Sequence, residues 1–273
     1  MFDFDKAIKE ASEAAKSPLL GAIVLGSSGS GKSSLMGTSG LKTLYLYTTG
    51  EDHGVKAAQA AAGSDIVPVC LDYADGKKLD ADTAYQRTLD VLGSVDALKK
   101  MGVGMVAVDG ASEIEAIIRD TKAWQRMCLT GQGKHNAFAE PTSTVSMFRP
   151  VINGLKDLQR NLGVHFVISC ILDVKDLGPH GEILEAAPRL QGYSVAESVL
   201  QQFGDVLVVG KMERDSIVKY KVQFMTDLVK QSKDEKGTLK RAMNFAPRLT
   251  GLQNLPPMVD ADLKEILKMK AGK

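Results

Sequence analysis

Residues Gly26-Ser27-Ser28-Gly29-Ser30-Gly31-Lys32-Ser33 satisfy G-x-x-x-x-G-K-[ST], a pattern whose chemistry is the capture of a polyphosphate. The glycines let successive backbone N–H groups converge on phosphate oxygens. Lys32 reaches the β- and γ-phosphates as a point charge, Ser33 offers its hydroxyl to Mg2+, and Ser34 completes the stretch. A flexible Gly/Ser turn is the bland alternative. The pattern, however, lies between a strand-like apolar run and a helix-like segment, the context a phosphate cradle requires. ATP and Mg2+ are the expected ligands.

A bound nucleotide needs a metal partner from another strand. Asp109 ends the apolar run MVAV, so its carboxylate is expected at the carboxyl edge of the sheet, supporting Mg2+ through water; a plain Asp-Gly turn is the alternative. Many P-loop ATPases carry their water-activating glutamate directly after this aspartate, but here that position is Gly110. The base must come from elsewhere. TTGEDHG places Glu51 at the same edge, where it could polarise a water aimed at the γ-phosphate; the alternative is a solvated turn glutamate beside Asp52.

The elements that must position these residues follow from short apolar runs alternating with helical stretches. LLGAIVLG, KTLYLYTTGE, DIVPVCLDY, MGVGMVAVDG and LGVHFVISCIL read as five buried strands, and the alternation predicts an α/β fold with a mainly parallel central sheet flanked by helices. After the helix-like YSVAESVLQQF, DVLVVGKME and SIVKYKVQFM, separated at Arg214 and Asp215, predict a β-hairpin on the sheet edge. Phe4, Ala7, Ile8, Ala11 and Ala15 predict an amphipathic helix within residues 1–17. The expected organisation is that helix, a core over 18–228, and a basic, partly helical extension over 229–273 ending in DADLKEILKMK.

The chain has 273 residues, 44% hydrophobic and 25% charged, enough to bury a full core around one sheet. Its net charge of +1 gives no global pull toward nucleic acid or anionic membrane, so such binding must come from a local patch. Three cysteines without CxxC spacing argue against a disulfide framework or structural zinc. No apolar run reaches the ~18 residues of a membrane span, and the amino terminus carries acids where a secretory or transit peptide is basic. These features predict a cytoplasmic protein with no membrane partner.

A glutamate on the strand after the P-loop helix, with an aspartate followed by a small residue, resembles RecA-like ATPases. More narrowly the chain resembles the small core-only RecA-like proteins of phages, the Sak-type single-strand annealing proteins and recombinases. The likeness runs from about Pro18 to about Arg248 and rests on GSSGSGKS, TTGEDHG, VAVDGASE, VHFVISC, APRLQG and the strand pair that follows. It implies that Lys32 and Ser33 carry phosphate and metal, Asp109 supports the metal and Glu51 activates water. It implies single-stranded DNA as partner, and a host-cytoplasmic location if phage-encoded. A cation from a neighbouring subunit is also implied, with Lys211, Arg214, Lys219 and Lys221 as candidates, and hence a homo-oligomeric ring or filament.

The chain departs from that pattern at Cys170, near the place of a polar residue that senses γ-phosphate, with Ser169 the nearest substitute. DVKDLGPHGEILEAAPRLQGY, where the family has a mobile DNA loop, carries no excess of bases over acids and offers only Tyr193 for stacking. Lys230, Lys233, Lys236, Lys240, Arg241 and Arg248, with Phe245 among them, form a more basic run. Residues 124–143, with Trp124 and His135, read as a polar functional loop between two helices. His53, His135, His165 and His180 show no zinc spacing. Absent NKxD, LSGGQ, GxSxG and HExxH motifs disfavour GTPase, ABC-type and other hydrolase readings. Three classes remain: a recombination ATPase on single strands, a packaging or helicase-like motor ATPase, and a nucleotide-binding interaction or virion-associated protein with little turnover.

Overall fold

The computed structural model describes residues 18–61, 65–177, 183–214, 217–223, 232–233, 239–240 and 258–272. The expected helix within residues 1–17 and most of the basic run from Lys230 to Arg248 lie outside them. The five expected runs form strands β1 (Gly21–Gly26), β2 (Lys42–Tyr47), β3 (Asp65–Cys70), β4 (Met105–Val108) and β5 (His165–Leu177). Between them lie helices α1 (Lys32–Met36), α2 (Asp52–Ala60), α3 (Ala81–Gly93), α4 (Val95–Met101), α5 (Ala111–Asp120), α6 (Lys122–Met127) and α7 (Glu140–Leu162).

β5 is longer than the sequence suggests. Its first half pairs in parallel with β1 and β4, and from Leu172 it pairs antiparallel with β6 (Ile183–Pro188). The segment expected as a loop is therefore largely a hairpin, whose residues 178–182 lie outside the described ones. It leads into α8 (Tyr193–Leu200). β7 (Asp205–Arg214) and β8 (Ile217–Gln223) form the expected antiparallel hairpin.

The sheet runs β9-β8-β7-β1-β5-β4-β2-β3, parallel from β7 to β3. Here β9 (Met258–Asp260) pairs antiparallel with β8. α9 (Leu263–Lys270) follows and buries Leu263 and Ile266 completely. Its first turn is tied by Leu263 N–H to Thr38 Oγ1 at 2.7 Å. Near its end Lys270 Nζ meets Asp205 Oδ1 at 2.9 Å, both side chains at most 6% exposed. The described end of the stretch expected as an extension thus packs on the core. Its amphipathic pattern predicts a helix without saying which surface receives it.

Period-2 alternation sorts each strand between two apolar layers. Ile23, Leu25, Leu44, Leu46, Val106, Val108, Phe166 and Ile168 face one cluster with residues of α3, α4, α5, α7 and α8. Ala22, Val24, Tyr45, Met105, Ala107 and Val167 face the other with Leu35 and Met36 of α1, Val55 and Ala58 of α2, and α9. Burying each large side chain contributes roughly 1.5–3 kcal/mol before conformational entropy is subtracted. α1 and α2 approach so closely at Gly37 that a Cβ there would lie 2.8 Å from Ala58 Cα.

Candidate active site

The loop from Ser27 to Gly31 follows β1 and opens α1, with Gly29 at φ +73° and Gly31 at φ +92°. These left-handed values suit glycine and bend the chain into a cradle. Gly26 is needed for a different reason: a Cβ there would collide with Ser30 Oγ and lie 2.6 Å from Val209 O. Lys32 Nζ crosses the loop to donate to Gly26 O and Ser27 O, each at 2.8 Å. Burial lowers its pKa against the opposing pull of Asp109, Cys170 and Glu51.

Asp109 emerges at the end of β4, on the face that carries α1, and is 3% exposed. Its Oδ2 accepts from Ser33 Oγ at 2.7 Å and from the Tyr45 hydroxyl. Its Oδ1 accepts from Ser169 Oγ at 2.6 Å, and Ser169 Oγ in turn accepts from Gly110 N–H at 2.9 Å. Ser169, weighed above as a phosphate sensor, therefore holds the Asp109 carboxylate. Cys170 has the opposite strand parity and packs in the other apolar layer, beside Ser112 Oγ at 3.7 Å. Burial pushes its thiol up to about 11.

Glu51 sits in a short 3-10 turn, Thr49–Glu51, that leads into α2. The turn is fixed by Asp72, whose carboxylate accepts Thr49 N–H and Thr49 Oγ1, each at 2.8 Å. Burial first, then Asp109 and Glu113, raise the Glu51 pKa, and Lys32 partly offsets them. Gly110 leaves the space that Glu51 and Glu113 occupy. At φ +104°, a Cβ there would lie 3.0 Å from Glu113 Cγ and 3.6 Å from Glu51 Cγ, so both glutamates pack over a bare backbone. Gly54 has a similar role on α2, where a Cβ would collide with Asp109 Oδ2.

These residues converge on one cavity of about 350 Å3, lined by Ser28, Gly29, Gly31, Lys32, Ser33 and Ser34 together with Glu51, Gly54, Asp109, Gly110, Glu113, Ser169 and Cys170. Of the expected cradle residues, Gly26, Ser27 and Ser30 build the loop without lining the cavity. Three carboxylates face one ammonium here, beside His53, so an accompanying cation strengthens the hold on a polyphosphate. The donor set suits Mg2+. Among the described residues no cluster of three His, Cys, Asp or Glu forms a metal cage. One hydroxyl and one carboxylate leave the remaining positions to phosphate oxygens and water, as Mg2+ prefers.

Lys32, Ser33, Glu51 and Asp109, singled out by residue type and spacing, meet at this cavity. Tyr45, Gly54, Asp72 and Glu113, which pack around them, were not singled out. The alternation of KTLYLY puts Tyr45 on the Asp109 face and was a usable signal; Asp72 gave none, because its role depends on how two loops pack.

The segment expected as a loop at 124–143 is partly helical. Trp124 belongs to α6, is 6% exposed and donates Nε1–H to Thr144 Oγ1 at 2.9 Å. Arg119 lies 5.0 Å above its ring. His135 Nε2 is 2.7 Å from Glu140 Oε1, tying the remaining loop to the start of α7.

No family model and no curated protein matches the sequence. Among solved structures, the chain is similar to a KaiC-like protein of the hyperthermophilic archaeon Pyrococcus horikoshii OT3. The two share 13% identity over 74% of this chain and 78% of that one, with a TM-score of 0.41. The fold is α/β with a mainly parallel sheet, in which β1, leading into the glycine-rich loop, is separated by β5 from β4, the strand that ends at Asp109. No described helix is long and apolar enough to cross a membrane.

Proposed function

We propose that the chain is a Mg2+-dependent ATPase acting on single-stranded DNA, with its nucleotide state governing assembly on the strand. The observation that carries the nucleotide reading is the bond from Ser33 Oγ to Asp109 Oδ2 beside Glu51 in a single cavity. It brings phosphate loop, metal carboxylate and base together. In this reading amides of residues 27–31 and Lys32 bind the triphosphate, while Ser33 and, through water, Asp109 would hold Mg2+. The ion, when bound, neutralises charge on the phosphoryl oxygens. Glu51 takes the proton of the attacking water, and its raised pKa makes it a stronger base than an ordinary carboxylate.

A second groove supports the DNA reading. About 320 Å3 in volume, it lies between α7 and α8 and is lined by Thr142, Ser146, Arg149, Ser194 and Ser198 together with the apolar Pro141 and Val145. Thr142, Ser146 and Arg149 recur at i, i+4 and i+7 on one face of α7. Hydroxyls and a guanidinium suit phosphate oxygens. Two residues before α7, Phe138 is 95% exposed, an available platform for base stacking. The finer reading, annealing or recombination of the phage Sak kind, rests on the order of motifs in the sequence. The trans cation and the ring or filament belong to the same proposal. Lys211, Arg214, Lys219 and Lys221 fall on β7 and β8, but their side chains lie outside the description.

ATP hydrolysis measured with and without single-stranded DNA tests this. Lys32→Ala loses nucleotide binding; Glu51→Gln binds nucleotide but turns over at least ~100-fold more slowly. DNA stimulates the wild type, and Phe138→Ala with Arg149→Ala loses that stimulation. Turnover indifferent to DNA removes the DNA half of the proposal, and absent turnover leaves only a binding protein.

A further inference from the structure

Three hydroxyls donate to the Asp109 carboxylate, and one of them comes from a residue with no assigned role. Tyr45 lies in the middle of β2, is 0% exposed and pairs in register with Ala107 of β4. Asp109 is two residues beyond Ala107, on the same face and roughly 6.6 Å further along the strand. A phenol spans that offset, whereas a β-branched residue at position 45 would stop short. The Tyr45 hydroxyl donates to Asp109 Oδ2, the same oxygen that Ser33 bonds, while Ser169 donates to Oδ1.

An ionised carboxylate has about four acceptor sites. Three are occupied by hydroxyls from β2, α1 and β5, which leaves about one for a metal-bound water. Tethers on both oxygens also stop rotation about the side chain's last torsion, which is otherwise broad and roughly two-fold. Gly54 closes the carboxylate from the α2 side.

We propose that Tyr45 is a positioning residue for the metal site: its buried hydroxyl, opposite that of Ser169, fixes the rotation of the Asp109 carboxylate and so the partner that Ser33 keeps when Mg2+ and nucleotide are bound. This rests on the nucleotide reading above. Phenylalanine at position 45 keeps the ring and removes only the oxygen.

The test is binding of a fluorescent ATP analogue to wild type and Tyr45→Phe, in EDTA and across a Mg2+ titration. Thermal melting of both proteins checks the fold. Tyr45→Phe is expected to keep its EDTA affinity within about twofold while requiring about tenfold more Mg2+ for half-saturation, the scale of one hydrogen bond to a charged group. An unchanged Mg2+ requirement, or an equal loss of affinity in EDTA, overturns the proposal. If Tyr45→Phe does not fold, Ser169→Ala reads the opposite tether by the same criterion. A wild type that binds no analogue under any condition refutes the nucleotide reading itself, a result distinct from binding with unaltered metal dependence.

Discussion

Gly54→Ala sets two effects of opposite sign against each other. Alanine in a helix interior is favoured over glycine by about 1 kcal/mol, so an open site would gain stability. Gly54 is not open: the added methyl would collide with Asp109 Oδ2 and lie 3.0 Å from Ser33 Oγ and 3.4 Å from Ser33 Cβ. Asp109 cannot yield freely, because Ser33, Tyr45 and Ser169 hold it. Overpacking of this kind costs about 1–3 kcal/mol. The net loss is then up to about 2 kcal/mol, or at most some 4–8 °C in melting temperature for a chain of this size. Displacing the carboxylate also weakens its charge-assisted bond with Ser33, and Mg2+-dependent ATP affinity is expected to fall about 10- to 100-fold. Gly93 at the end of α3 has nothing within 4 Å of its added Cβ, so Gly93→Ala is the control, unchanged or slightly more stable. Calorimetric melting without nucleotide, followed by ATP titration with Mg2+, measures both consequences. A Gly54→Ala protein that melts at or above wild type and binds ATP with undiminished affinity would refute the reasoning.

Other consequences are equally direct. Lys270→Ala removes one partner of an Asp205 carboxylate that is 2% exposed; urea unfolding should show a loss of up to about 3–5 kcal/mol, and Lys270→Ala with Asp205→Asn should recover part of it. Asp72→Asn weakens the clamp on Thr49, so turnover should fall several-fold in steady-state kinetics while ATP affinity stays near wild type. Glu113→Gln removes one of the charges that raise the Glu51 pKa; since the base works ionised, activity rises with pH through that value, and the acid limb of the kcat profile should move to lower pH. The same raised pKa gives Glu51 a stabilising contribution that is present below its unfolded value and lost as pH rises through the folded one. Glu51→Gln should therefore melt higher than wild type near pH 8 and match it near pH 4.

Much of the sheet was legible because parallel strands buried on both faces are short apolar runs, and GAIVLG, MVAV and the start of VHFVISC could be read without tertiary knowledge. The cradle was legible because its glycines and Lys32 sit within eight consecutive residues. Glu51 and Asp109 followed from strand ends pointing to one edge. The β5-β6 hairpin was obscured by a mixed-charge composition that reads as loop although its backbone pairs. Trp124 looked like part of a polar loop because its neighbours are polar, while its indole is fixed by Thr144, twenty residues away in sequence. Tyr45, Gly54 and Asp72 act through contacts between elements, set by strand register and loop packing rather than by local pattern.

Calorimetric titration of ATP with Mg2+ into wild type and Lys32→Ala tests the central claim most directly. One nucleotide per chain, with binding lost in Lys32→Ala, is the predicted result. Absence of binding to wild type, or equal binding to both proteins, would contradict the assignment of the cavity at Gly26–Ser34 as a triphosphate site.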